Sequence, residues 1–130
     1  MRFGIDTSVL VRLLVGEPAD AFDDCVRKLS AMIEDDGAEI FASNQVIGET
    51  YVAVQHHYDI DRPDARAGLS DVLSSGLVAP LNGQAVFEAL EAATGAGLFD
   101  RLIADEYARA GLEVLTLDRR MAALPGARRL

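Results

Sequence analysis

Apolar side chains recur along the chain at two spacings, and segments with the two spacings alternate. Recurrence every three or four residues, as in Phe22, Val26, Leu29 and Ile33, predicts helices with one buried face. Short apolar runs between turn residues predict strands. We expect helices over 9–15, 18–36, 45–58, 62–75, 83–94, 98–110 and 119–124, and strands over 2–5, 39–42, 77–80, 113–117 and 127–130.

Strands that alternate with helices in this way predict a parallel sheet. The connections suit βαβ units, so we expect an α/β fold with a central, mostly parallel sheet flanked by helices on both faces. The 130 residues contain no repeat and no linker, and they suit one domain, 1–130. Ligands of such sheets bind outside the carboxyl ends of the strands. The first strand leads to Asp6 and the fourth leads to Asp118, so a site is expected at this edge.

The composition narrows the possible classes of protein. Half of the residues are hydrophobic and 25% are charged, the balance of a globular protein rather than of a disordered one. The apolar runs are short and Asp6 interrupts the first, so we expect neither a membrane span nor a secretion signal. The single cysteine, Cys25, excludes an internal disulfide and favours the reducing cytoplasm. Charged neighbours predict a solvated helix face for it.

The net charge of −9 argues against a protein that coats nucleic acid non-specifically. The charge is unevenly distributed, however. Residues 17–39 hold eight acids against two bases, whereas residues 98–130 hold five acids against six arginines. Eleven of the twelve basic residues are arginine, which suits bidentate contact with phosphate. A nucleic-acid enzyme is therefore possible if its acidic residues serve a local purpose.

Four carboxylates stand where chemistry is expected. Asp6 and Asp118 follow strands, and each would equally serve as the N-cap of the helix after it. Glu49 lies on a helix that is apolar over most of its circumference, where a carboxylate needs a partner unless it reaches water at the rim. Asp100 falls on the flank of a buried helix face, which makes it a candidate ligand.

Asp105, on the same helix as Asp100, is predicted to have a different role. It is spaced four residues from both Arg101 and Arg109, so we expect a solvated ladder of ion pairs. Asp105 is therefore interpreted as a surface residue.

Converging carboxylates would repel one another without a cation, and an all-oxygen donor set suits Mg²⁺ or Mn²⁺ rather than zinc. His56 and His57 are adjacent on a helix and point about 100° apart. We interpret them as a polar helix end rather than as zinc ligands. The hydroxyls of Thr7, Ser8 and Thr116 are candidates for orienting the carboxylates, although Thr116 also suits a strand.

Each candidate carboxylate lies in a short motif. The motifs are Phe-Gly-Ile-Asp-Thr-Ser-Val-Leu at 3–10, Val-Ile-Gly-Glu at 46–49, Leu-Phe-Asp-Arg-Leu-Ile-Ala at 98–104 and Val-Leu-Thr-Leu-Asp-Arg-Arg at 114–120, followed by Leu-Pro-Gly-Ala-Arg at 124–128. In this order the sequence resembles the PIN-domain family, and most closely its short VapC-type toxins of toxin–antitoxin pairs. The likeness covers the whole chain. Arg101 departs from it, because the family more often has a small residue after the third acid.

The resemblance implies a Mg²⁺- or Mn²⁺-dependent endoribonuclease whose acidic quartet is Asp6, Glu49, Asp100 and Asp118. The three aspartates would bind the metal, and Glu49 would bind metal or take the proton of the attacking water. In-line attack would leave a 5′-phosphate and a 3′-hydroxyl. The family also implies a cognate antitoxin protein and a homodimer. Candidates for contact with RNA are Thr7, Ser8, Arg101, Thr116, Arg119 and Arg120.

Other classes fit the sequence less well. A phosphoacceptor receiver domain would have adjacent acids after its first strand and a late lysine, but the single lysine here is Lys28. A haloacid-dehalogenase-like phosphatase would have an aspartate where Ser8 stands. The main alternative is a PIN-like module that binds RNA or a protein partner without cleaving RNA. The presence of all four acids argues against that alternative.

Overall fold

The computed structural model describes residues 1–130 and arranges the strands in two parallel ladders. Strands β1 (Arg2–Gly4), β2 (Glu39–Ala42) and β3 (Ala79–Pro80) form one sheet in that order, and β4 (Val114–Thr116) pairs with β5 (Ala127–Arg129) in another. Every strand pair is parallel. The predicted α/β class is confirmed. The strands do not all join in one sheet, however, because the last two pair only with each other.

Seven helices connect and follow these strands. Each begins and ends within three residues of its predicted bounds. None is both long enough and apolar enough to cross a bilayer. The helices are α1 (Thr7–Val15), α2 (Ala19–Asp36), α3 (Asn44–His57), α4 (Arg62–Leu73), α5 (Gln84–Glu91), α6 (Leu98–Arg109) and α7 (Arg119–Ala122).

The helix ends follow from residues with specific local chemistry. Ser43 and Asp61 cap α3 and α4, because each side chain accepts a hydrogen bond from the backbone N–H three residues later. Gly16 and Gly37 end α1 and α2 with φ of 73° and 66°. This left-handed backbone conformation is one that glycine adopts without strain.

The main core lies among α1 to α6 and the three-stranded sheet, with α3 packed directly against α1, α4 and α6. Its fully buried side chains include Leu10, Ile47 and Leu102. Residues 113–130, which we call the C-terminal unit, pack mainly against one another. The buried side chains of this unit, Val114 and Met121, lie outside the main core.

Cys25 differs from its predicted placement. Its side chain is half-buried and packs against the main core instead of lying on a solvated helix face. The reason is its position on α2 beside Phe22 and Val26, which pack against the same core. The prediction from the charged residues next to Cys25 in sequence therefore placed its side chain on the wrong face of α2.

Candidate active site

Two of the candidate aspartates are oriented by hydrogen bonds to the helices that follow them. Asp6 lies between β1 and α1, and Asp118 lies between β4 and α7. In each, Oδ1 accepts hydrogen bonds from two backbone N–H groups of the following helix, so both predicted N-cap roles are confirmed. In each, Oδ2 accepts no hydrogen bond from the protein. Capping therefore leaves one oxygen of each carboxylate free for a ligand.

Asp6 and Glu49 each accept a hydrogen bond from a hydroxyl group at the start of α1. Ser8 Oγ donates to Asp6 Oδ1, and Thr7 Oγ1 donates to Glu49 Oε2 at 2.8 Å. Gln45 Nε2 donates to Glu49 Oε1 at 2.7 Å. The hydrogen bond from Ser8 lowers the pKa of Asp6, and those from Gln45 and Thr7 lower the pKa of Glu49. The Glu49 side chain is exposed to solvent. Because their pKa values are lowered, the carboxylates of Asp6 and Glu49 are both ionised at neutral pH.

The other two acids form a second pair. Asp100 stands half-buried in the first turn of α6. Burial raises its pKa, and the negative charge of nearby Asp118 raises it further. The backbone N–H of Asp118 donates to Thr116 Oγ1 at 3.0 Å, so the third predicted hydroxyl contacts the backbone of Asp118 and not its carboxylate. Like charge at Asp118 disfavours ionisation of Asp100, and a cation bound between the two carboxylates would offset that repulsion.

A close helix crossing links the two pairs. A Cβ atom on Gly48 would lie 2.6 Å from the ring of Phe99, so α3 and α6 approach each other as closely as glycine permits. Gly48 precedes Glu49, and Phe99 precedes Asp100. No three His, Cys, Asp or Glu side chains reach metal-binding geometry together. The four predicted acids therefore lie as two separate pairs, the first linked only through Thr7, and they do not form one closed cluster.

A cleft of about 1170 Å³ opens beside the second pair. Asp100, Asp118 and Arg120 line it, whereas Asp6 and Glu49 do not. The cleft continues along α3 and α4, and its lining there includes two residues that the sequence analysis did not assign to a site, His56 and Arg62. His56 lies seven residues after Glu49, on the same face of α3, and that spacing is the signal that was available in the sequence.

The cationic candidates differ in their contacts. Arg119 and Arg120 make no side-chain hydrogen bond or ion pair with the protein, so their guanidinium groups are available. Arg101 is occupied: Nε donates to the Ala96 carbonyl at 2.9 Å and Nη2 to the Thr94 carbonyl at 2.7 Å. These contacts differ from the predicted solvent ladder.

The predicted ladder on α6 is wrong for Arg101 and holds only for Arg109, whose Nε lies 3.0 Å from Asp105 Oδ2. Asp105 is half-buried rather than at the surface, and it also accepts hydrogen bonds from the side-chain amides of Asn44 and Asn82. The guanidinium of Arg109, together with these amides, lowers its pKa. Asp105 therefore joins the start of α3 and the loop after β3 to α6, and it is a structural residue.

The chemical type of the donors suits a hard divalent cation, but the carboxylates lie in two pairs and no three of them reach metal-binding geometry together. Asp6 and Asp118 each present one free carboxylate oxygen, and Asp100 lies beside Asp118 with an uncompensated like charge. Carboxylate oxygens are the ligands that Mg²⁺ and Mn²⁺ prefer, and no cysteine or histidine lies among them. Mg²⁺ or Mn²⁺ therefore stays a prediction that rests on the type of donor.

Fold and site together define an α/β protein with two pairs of carboxylates, Asp6 with Glu49 and Asp100 with Asp118, of which the second pair lines a cleft. A family model, the PIN domain, matches residues 4–127, and the chain belongs to that family. The PIN domain is generally a nuclease fold whose members use Mg²⁺ or Mn²⁺. Neither a curated protein nor a solved structure matches the chain significantly.

Proposed function

We propose that the protein is a Mg²⁺- or Mn²⁺-dependent endoribonuclease of VapC type, the toxin of a toxin–antitoxin pair. The observation that carries the nuclease proposal is the pairing of Asp100 with Asp118 at the cleft, where burial and like charge leave two carboxylates without a counter-ion. The proposed metal ligands are Asp6, Asp100 and Asp118, and Glu49 is the fourth acid of the centre.

The side chains have distinct tasks in this proposal. Bound Mg²⁺ or Mn²⁺ supplies a water of lowered pKa and neutralises the scissile phosphate. Glu49, held by Thr7 and Gln45, accepts the proton of the attacking water. Its lowered pKa keeps the Glu49 carboxylate ionised at neutral pH, the state in which it can accept a proton, although it also makes Glu49 a weaker base. In-line hydrolysis leaves a 5′-phosphate and a 3′-hydroxyl.

The charges around the cleft support an RNA substrate despite the net charge of −9. Three arginines and three acids line the cleft, so its lining is balanced while the rest of the molecule is acidic. A bound divalent cation would make it positive. We assign the phosphate contacts nearest the acids to Arg119 and Arg120, and the more distant ones to Arg62 and His56. Thr7, Ser8 and Thr116 act by orienting Glu49, Asp6 and Asp118.

An antitoxin and a second copy of the chain are the proposed protein partners, and the cytoplasm is the proposed compartment. Large apolar side chains are exposed on α6 and in the C-terminal unit, including Tyr107, Leu115 and Leu117. Exposed apolar surface of this kind suits contact with proteins. The Asp100 and Asp118 carboxylates in the cleft would also accept an arginine side chain from an antitoxin. The single cysteine favours a reducing compartment.

The test is cleavage of end-labelled total RNA by the purified protein, with Mg²⁺, Mn²⁺ or EDTA. Asp6→Asn and Asp100→Asn are compared with Asp36→Asn, a control at the exposed end of α2. We expect discrete metal-dependent fragments with 5′-phosphates, lost in the first two variants and retained in the control. Absence of cleavage with every metal would overturn the proposal and leave a PIN-like module that binds without cutting.

A further inference from the structure

The segment between α5 and α6, residues 92–97, forms one wall of the cleft. Arg101 holds it from inside the following helix. Its guanidinium donates to the carbonyls of Ala96 and Thr94, and its backbone N–H donates to the Gly97 carbonyl at 3.1 Å. One residue of α6 therefore holds three carbonyl groups of the segment that leads into its own helix.

A second guanidinium holds the other end of this segment. Arg66 of α4 donates through Nη1 to the carbonyls of Ala89, Leu90 and Ala92 at 2.9, 3.1 and 3.0 Å. A cation at this end of α5 also stabilises the helix dipole. The Arg66 guanidinium lies 5.7 Å from the centre of the Tyr51 ring, which holds it in place. The segment is thus fixed from both α4 and α6.

The first turn of α6 needs this support more than the other site helices do. Asp6 and Asp118 cap their own helices and so fix their own orientation. In contrast, α6 begins after Gly97, and no side chain caps it. Asp100 therefore stands in a first turn whose backbone is held through the carbonyls of segment 92–97 instead of through an N-cap.

We propose that Arg101 is a positioning residue for Asp100, acting with Arg66 to hold segment 92–97 against the first turn of α6. This inference rests on the proposed function, because it assigns Arg101 a role toward the metal-binding carboxylates. Arg101 contacts neither RNA nor metal in this role, since its Nε and Nη2 are already engaged by carbonyl groups.

Arg101→Met removes the donors and keeps the aliphatic stem, whereas Arg101→Lys keeps a charged donor. Mn²⁺ affinity is measured from the resonance of free Mn²⁺, and kcat and KM are measured with a cleaved RNA. We expect Arg101→Met to weaken Mn²⁺ binding and to lower kcat, each roughly tenfold, and to leave KM unchanged. Tenfold is the lower end of the losses seen when a residue that orients a metal ligand is replaced. Arg101→Lys should recover part of both losses. Arg27→Met, at an exposed position on α2, is the control.

A second pair of variants reaches the same contact through the backbone. Gly95 has φ of +82°, and a Cβ there would lie 3.3 Å from Arg101 Nη2. Gly76 has φ of +92° with nothing within 4 Å. Both Gly95→Ala and Gly76→Ala strain the backbone, but only Gly95→Ala should weaken Mn²⁺ binding. Comparing these two variants separates an effect on the position of Arg101 from a general loss of stability. The comparison also replaces the Arg101→Met experiment if that variant does not fold.

The outcomes distinguish this inference from the proposed function. If the wild-type protein cleaves RNA but Arg101→Met binds Mn²⁺ as tightly as wild type, the inference is overturned alone. A rise in KM for RNA with unchanged Mn²⁺ affinity would also overturn it and would make Arg101 a phosphate contact. A wild-type protein that neither binds Mn²⁺ nor cleaves RNA would overturn both.

Discussion

Two of the four acids obtain their orientation from the two or three residues that follow them. Asp6 and Asp118 each use one oxygen to cap a helix and leave the other free, so one side chain combines folding and ligand roles. The motifs that contain them are therefore readable from sequence, because the whole arrangement is local. Glu49 and Asp100 depend instead on contacts between helices, which only the structure shows.

The two roles of the capping aspartates can be separated by substitution. Asparagine caps a helix as well as aspartate does, whereas alanine costs about 1 kcal/mol of stability. We expect Asp6→Asn to retain the wild-type free energy of unfolding but to lose RNA cleavage, and Asp6→Ala to lose both. Urea denaturation and RNA cleavage measure the two effects. If Asp6→Asn cleaved RNA like wild type, the carboxylate would be a cap and nothing more.

Asp100 and Asp105 should affect stability with opposite signs. The folded-state pKa of Asp100 is raised above the ordinary value of 3.8, so its ionisation destabilises the metal-free fold as pH rises through that range. The pKa of Asp105 is lowered, so its contribution is present above the ordinary value and disappears as pH falls below it.

Urea denaturation in EDTA, at neutral pH and at acid pH, tests these signs. At neutral pH we expect Asp100→Asn to be more stable than wild type. Asp105→Asn should be less stable by about 1 to 3 kcal/mol, because a charged acceptor of several hydrogen bonds is lost. Both differences should shrink on acidification. A destabilising effect of Asp100→Asn at neutral pH would contradict the electrostatic interpretation of the pair.

Among the secondary-structure elements, α3 links the helix that follows Asp6 to the helix that contains Asp100, because it packs against both α1 and α6. Its crossing with α6 depends on Gly48, which leaves room for the ring of Phe99. The residues that follow these two in sequence are Glu49 and Asp100. The geometry of one helix crossing thus sets the relation between two of the acids.

Enlarging Gly48 should disturb this crossing. Gly48→Ala gains about 1 kcal/mol of helix propensity but overpacks the contact with Phe99, at a cost of about 1 to 3 kcal/mol. We expect a net loss of stability and of RNA cleavage, and partial recovery of both in the double variant Gly48→Ala/Phe99→Leu. A double-mutant cycle in urea measures the coupling.

Gly68→Ala is the matched control for this crossing. Gly68 is also within a helix, α4, and the nearest atom to a Cβ placed there is Leu14 Cγ, at 3.2 Å. The gain in helix propensity should therefore offset the cost of the tighter contact with Leu14. We expect Gly68→Ala to leave the stability nearly unchanged and RNA cleavage at the wild-type level. An equal loss in both glycine variants would show that the Phe99 contact has no special role.

The elements were predictable wherever their signals are local. Ser43, Asp61, Gly16 and Gly37 mark helix ends through their own backbone and capping chemistry, and these ends agree with prediction. Strand pairing between distant segments has no such signal, so the separate β4–β5 ladder was not foreseen. The partners of Arg101 were missed because α5 ends at Glu91, three residues early, and exposes carbonyls that the guanidinium then bonds.

The whole molecule consists of one main core and a C-terminal unit that packs mainly against itself. The division passes through the site, because Asp100 belongs to the main core side and Asp118 to the C-terminal unit. A cation held between them would fasten the two parts together. Metal binding and docking of the C-terminal unit are then linked equilibria.

Amide hydrogen exchange followed by mass spectrometry tests this linkage. In EDTA we expect the amides of β4 and β5 to exchange faster than those of α3, because their unit lies outside the main core. Mn²⁺ should slow exchange in residues 113–130 more than elsewhere, and Asp100→Asn should remove that effect. Uniform slowing over the whole chain, or none, would mean that the metal does not join the two parts.

The ring of Phe99 is a wall shared by two cavities, since it lines the cleft and also a smaller cavity of about 250 Å³ between α3 and α6. The smaller cavity is also lined by Leu102 and Ile103, the two residues of α6 that lie one turn after Phe99. Because Phe99 directly precedes Asp100 on α6, a molecule bound in the smaller cavity would touch the neighbour of Asp100 without entering the cleft.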